Sequence, residues 1–214
     1  MGNKTSIHVI RHPSLWEGLG GLLLLLLICM PFTSCSEQED VEADDYANWQ
    51  ERNDAYMADI ATRCQRVKSF TKDQQTEGEV SDYVYYEVLE SGTGTDCPYY
   101  TDTVRISYRG RIIPTASYPE GLVFDETFTG NFSWQTTGVV TTLASGFVDG
   151  FTTILQHMHR GDRWRVYIPY QLGYNKTSKD GIPALCSNLI FDIALVDFSH
   201  PDHILPQWSA RQTK

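Results

Sequence analysis

The stretch SGFVDGFTTILQHMHRGDRWRVYIP, residues 145–169, decides the fold, because it joins the one helix-like run of its region to an alternating strand. Phe147 to His159 is amphipathic and predicts a helix; Gly161-Asp162 stops it, and RWRVYIP alternates as a strand does. Two histidines flank Met158, which raises the question of a metal or acid–base site. On a helix, however, His157 and His159 point to nearly opposite sides and cannot share one ion without a third ligand nearby. His200 and His203 lack a Cys or carboxylate constellation of metal-ligand spacing. No metal site and no cofactor are expected, so the chemistry passes to the apolar residues around the histidines.

Working outward, YVYYEVLESGTG (83–94), TVRISYRGRII (103–113), LVFDETF (122–128) and NLIFDIALVDF (188–198) read as further strands. Val104, Ile106 and Tyr108 alternate with Arg105, Ser107 and Arg109, so one face of that strand is core. Leu189, Phe191, Ile193 and Leu195 share one face of the last strand in the same way. Roughly 120 residues with about five or six strands and a single helix predict an α+β domain, its antiparallel sheet burying one face against that helix. Glycine-rich phosphate loops and internal repeats are absent from the sequence.

The first part of the chain reads differently. An apolar run at Leu22–Met30, flanked by Lys4 and Arg11, is shorter than the ~20 residues of a membrane-spanning helix and predicts an export signal. PFTSC resembles the lipobox of bacterial lipoproteins. That resemblance implies a signal peptide over 1–35, lipidation of Cys35, and a membrane partner reached through the lipid. SEQEDVEADD (36–45) is an acidic tether. The expected place is the cell envelope of a Gram-negative bacterium, at the outer membrane, with the periplasmic and the surface face both open. From Tyr46 to Val67, Tyr46, Trp49, Tyr56, Ile60 and Val67 fall at helical spacing, with Asp44 or Asp45 as the cap. Such a helix either packs on its own domain or pairs with a second copy as a homodimer. Thr71–Ser81 is a polar linker, so 46–82 is a helical segment with its linker, 83–198 the domain and 199–214 a tail. The formal net charge of -10 comes with no basic stripe, which excludes nucleic acid as a partner. Cys64, Cys97 and Cys186 are odd in number without C-x-x-C spacing, and support neither a zinc site nor a disulfide framework.

From Tyr83 to Phe198, the words SYRG (107–110), VFDETF (123–128), FVDGF (147–151), HMHRGD (157–162), YIP (167–169), LGYN (172–175), GIP (181–183) and LIF (189–191) run in a telling order. In that order the segment resembles FKBP-type peptidyl-prolyl cis-trans isomerases. The resemblance implies an FKBP-like antiparallel sheet wrapped around one short helix, preceded here by the N-terminal helix. It also implies a pocket with Phe151 as floor, at a position often Trp in the family, and Tyr108, Phe124 and Phe191 as walls. Phe147, Val148 and Ile182 complete the substrate site, and Phe132 and Trp134 add a wall. The Val148 N–H and the Tyr174 hydroxyl would hold the peptide, while Asp125 orients neighbouring groups or faces the carbonyl carbon. The implied catalytic residues are Asp125, Tyr174 and Phe151.

The implied reaction is rotation about Xaa-Pro bonds, whose barrier of ~18–20 kcal/mol comes from amide resonance. A dry aromatic pocket weakens that resonance and selects a twisted amide. Substrates would be unfolded or proline-containing chains of exported proteins. A second implied reading is a non-catalytic FKBP-like lipoprotein that binds a peptide or protein partner. The sequence departs from the family in the long PTASYPEG (114–121), in Asn175 where Gly is usual, in one extra residue within IPALCSNLIF, and in WQTTGVVTTLASG, which lacks the usual compact word.

Overall fold

Seven strands form one sheet: β1 (Gln65–Lys68), β2 (Tyr83–Glu90), β3 (Thr103–Ile112), β4 (Val123–Glu126), β5 (Val140–Leu143), β6 (Arg163–Ile168) and β7 (Leu189–Ser199). Every pairing is antiparallel, in the order β1-β2-β6-β7-β3-β4, with β5 also on β3. This is a computed structural model, and it describes residues 45–202. The signal segment with Cys35, the tether before Asp45, and the tail from His203 onward lie outside the described residues.

Two helices cover the sheet, α1 (Trp49–Arg63) on one face and α2 (Asp149–Leu155) on the other. On the α2 side Val84, Ile106, Val166 and Ile193 pack with Phe151, Ile154 and Leu155. On the α1 side Tyr83, Tyr85, Ile112, Tyr167 and Ile190 pack with Trp49, Met57 and Ile60. The expectation of a sheet with one buried face is thus corrected. The physical signal was the unbroken apolar run Tyr83-Val84-Tyr85-Tyr86, since a strand covered on both sides needs no alternation.

Both helices are shorter than their periodicity suggested. α1 ends at Arg63, Cys64 is extended, and Val67 stands in β1 opposite Val84 rather than on a helix. The helix carries no side-chain cap at its start, where Asn48 is left-handed. α2 stops at Leu155 because the His157 and Met158 N–H groups donate to the carbonyls three residues back, on Ile154 and Leu155. The Asp162 carboxylate then accepts the N–H groups of His159 (2.7 Å) and Gly92 (2.6 Å). That is the Gly-Asp stop seen in the sequence, and it turns the chain into β6.

Asp45 holds the 114–121 loop instead of capping α1. Its buried carboxylate accepts from the Thr115 hydroxyl (2.9 Å) and from the N–H groups of Ala116 (3.1 Å) and Ser117 (3.2 Å). Burial opposes the charged form, but the bonds from Ser117, Thr115 and Ala116 outweigh it and hold the Asp45 pKa below the ordinary value. The sign follows: the stabilisation is complete above about pH 4, the unfolded value, and is lost as pH falls through the lower folded value. Urea midpoints for the protein and Asp45→Ala are expected to differ between pH 5 and 7 and to converge in acid.

Candidate active site

Strand alternation turns Tyr108 of β3 toward α2, and β4 lies alongside with Gly110 opposite Asp125. In this register the Tyr108 hydroxyl donates to Asp125 Oδ2 at 2.9 Å. Gly110 is required by the rings beside it. A Cβ there would stand 2.5 Å from Phe191 Cε1 and 2.8 Å from Phe124 Cζ, closer than real side chains approach.

The entry to α2 supplies the floor. Val148 precedes the helix in extended conformation, and Phe147 and Phe151, one turn apart, stack at 4.4 Å. Phe151 is 1% exposed, with Phe191 edge-on at 4.9 Å and Tyr108 edge-on at 5.8 Å. Above these rings opens a cleft of about 460 Å³, also lined by Asp125, Val148 and Tyr174. Tyr174 comes from the turn after β6, where Asn175 takes the left-handed φ of 55° that glycine usually provides.

Burial raises the Tyr108 pKa well above its ordinary value, helped by the bond to Asp125 and the charges of Asp125 and Tyr174. Burial and Asp125 also raise that of Tyr174. Both phenols therefore remain donors at neutral pH.

Of the residues singled out by sequence, Tyr108, Asp125, Phe147, Val148, Phe151, Tyr174 and Phe191 meet at the cleft. Phe124 and Ile182 stand behind this lining and touch both core clusters; the Phe124 ring meets Phe191 edge-on at 5.5 Å. Phe132 and Trp134 are not a wall. Phe132 lies under the Arg163 guanidinium at 4.6 Å, and the Trp134 indole N–H donates to Glu90 at 2.7 Å. Sequence reasoning missed Gly146 and Lys179 in the lining; the Lys179 amine sits 5.5 Å from the Tyr174 ring centre. The rim word NKTSKDGIP carries two lysines, Lys176 and Lys179, and nothing in it tells which one reaches the cleft.

The histidines go separate ways. His157 Nδ1 lies 2.9 Å from the Thr153 carbonyl, and His159 Nδ1 lies 3.4 Å from Asp162. Among the described residues there is no group of three His, Cys, Asp or Glu placed to hold a metal ion. Cys64, Cys97 and Cys186 are free thiols.

The cleft thus offers an aromatic floor, two phenol donors and a carboxylate engaged by one of them. Such a lining suits a small apolar ring next to a carbonyl. The family model for FKBP-type peptidyl-prolyl cis-trans isomerase matches residues 94–196, which include every residue of the lining. The Macrophage infectivity potentiator of Trypanosoma cruzi is 28% identical over 171 residues, 79% of this chain and 79% of that protein. The FKBP-type peptidyl-prolyl cis-trans isomerase FkpA of Escherichia coli is 32% identical over 114 residues, 52% of this chain but only 36% of that protein. The crystal structure of FkpA from Escherichia coli covers 75% of this chain and 63% of its own, with a TM-score of 0.53 and 26% identity. Sheet, enclosed helix and aromatic cleft agree with these likenesses, and residues 94–196 match the FKBP-type peptidyl-prolyl cis-trans isomerase family.

Proposed function

We propose that this protein catalyses cis–trans isomerisation of Xaa-Pro bonds in exported polypeptides at the cell envelope. The supporting observation is the buried Phe151 platform with the Tyr108–Asp125 hydrogen bond beside it and Tyr174 on the same cleft. The proline ring lies on Phe151 between Tyr108 and Phe191. The Val148 N–H and the Tyr174 hydroxyl hold the peptide carbonyls. Asp125, occupied by Tyr108, orients that phenol and faces the amide with its negative field rather than exchanging a proton. The cleft strips water from the prolyl amide, which disfavours its charge-separated resonance form, and its shape accepts the twisted amide better than a planar one.

Placement at the envelope rests on the apolar leader and the PFTSC word, together with a relative named Outer membrane protein MIP in Legionella longbeachae, 33% identical over 112 residues. Lipid on Cys35 would tether the domain through the acidic segment. Labelled palmitate should enter the protein in cells and be absent from Cys35→Ala.

A protease-coupled assay of short peptides with varied residues before proline tests the activity. Tyr174→Phe removes one hydroxyl and is expected to lower kcat/KM about 3- to 10-fold, the worth of a single hydrogen bond. A folded protein that accelerates none of the peptides yet binds them would be a binding module instead.

A further inference from the structure

A buried polar relay runs from α1 to the turn that carries Tyr174. Asn53 is fully buried in α1, and its Oδ1 accepts the Asn188 N–H at 2.8 Å. Its backbone carbonyl accepts the Asn188 side-chain amide at 2.6 Å, while its own amide donates to the Trp49 carbonyl at 2.8 Å. One turn away, the Trp49 indole N–H donates to the Ser187 hydroxyl at 2.8 Å. Asn188, 1% exposed, passes the connection on, because its Oδ1 accepts the Tyr170 N–H at 2.9 Å. The Tyr170 carbonyl in turn accepts the N–H groups of Gly173 (3.0 Å) and Asn175 (2.7 Å), which bracket Tyr174. The loop closes where the Cys186 N–H donates to the Asn175 carbonyl at 3.0 Å.

The backbone at the two ends of this relay points to a role in positioning the turn as well as filling space. Asn175 and Cys186, at its two ends, hold φ values of 55° and 59°, a region that asparagine enters readily but that cysteine rarely adopts unless its surroundings hold it there. A fully satisfied buried network specifies one arrangement, and removing one member leaves its partners unpaired.

We propose that Asn53 is a positioning residue for Tyr174, so that α1 is a working part of the site and not only a spacer between anchor and domain. The proposal rests on the isomerase reading for its kinetic consequence, but the relay itself can be tested without it.

The test compares full-chain Asn53→Ala with Ile60→Ala, which removes apolar volume from the same helix without removing a side-chain hydrogen bond of the relay. Peptide KM, kcat and amide exchange are read on each. Asn53→Ala is expected to raise KM and to speed amide exchange at 170–175 and 186–188, each about 10- to 100-fold. Ile60→Ala is expected to lower the melting temperature at least as far and to keep KM within about twofold of the parent, because the relay stays paired. An unchanged KM in Asn53→Ala or an equal KM loss in Ile60→Ala overturns the proposal. If the parent protein accelerates no peptide, it is the isomerase reading that fails. Amide exchange then decides alone: faster exchange confined to 170–188 in Asn53→Ala supports the relay, and unchanged exchange overturns it.

Discussion

Phe151→Ala is expected to cost about 3–5 kcal/mol of folding stability and to remove isomerase activity. The ring is 1% exposed, stacks on Phe147 at 4.4 Å and takes the edges of Phe191 and Tyr108, so its deletion opens a cavity that three fixed aromatics cannot close. Loss of stability alone would confuse the reading, and Phe151→Leu separates the two effects. Leucine keeps most of the apolar volume and is expected to cost less than about 1.5–2 kcal/mol, but it offers no flat face to the proline ring. Its kcat/KM should fall roughly tenfold or more in protein that urea titration shows to be folded, as expected when an interaction made with the twisted amide is lost.

The second large effect lies on the opposite face of the sheet. Asp192 of β7 receives a bidentate pair from Arg165 of β6, Nε at 2.7 Å and Nη2 at 3.0 Å, and Arg111 Nη2 of β3 at 2.9 Å. The Asp192 bond raises the Arg165 pKa above its already high value against the cost of burial. Asp192→Ala would leave two guanidinium groups facing each other across one strand, and the Arg111 Nε is already buried without a partner. A destabilisation of about 2–4 kcal/mol is expected, below the full value for a buried pair because Arg165 is 36% exposed. Because the triad faces away from the cleft, the folded variant should keep its peptide KM, which urea midpoints and kinetics on one preparation would show.

Most of the candidate site was legible because its residues sit in short words whose order resembles that of the FKBP-type family. Alternation placed Tyr108 inward and the predicted helix brought Phe147, Val148 and Phe151 together, while the pairing of Gly110 with Asp125 became visible only in the sheet. The second covered face was legible only in part, since Tyr83 and Tyr85 interleave with Val84 and Tyr86 and mask any alternation. What was hidden depends on distant pairing. Val67 reads as a helical apolar residue until β2 lies beside it, and Phe132 and Trp134 read as pocket aromatics until Arg163 and Glu90 claim them. Asn53 in a helix reads as a solvated polar residue, and nothing near it in the chain announces Asn188.

Catalysis by desolvation and shape makes a demand that acid–base catalysis does not. With the Tyr108 and Tyr174 pKa values both raised above the usual phenol value of about 10, neither hydroxyl changes state between pH 6 and 9, and the Tyr108 hydroxyl stays a donor to Asp125. The most direct measurement is therefore kcat/KM for cis-to-trans isomerisation of a Leu-Pro peptide across that pH range. Acceleration that is flat with pH is the expected result. No acceleration by the folded protein, or a bell-shaped profile whose acid limb vanishes in Asp125→Asn, would contradict it.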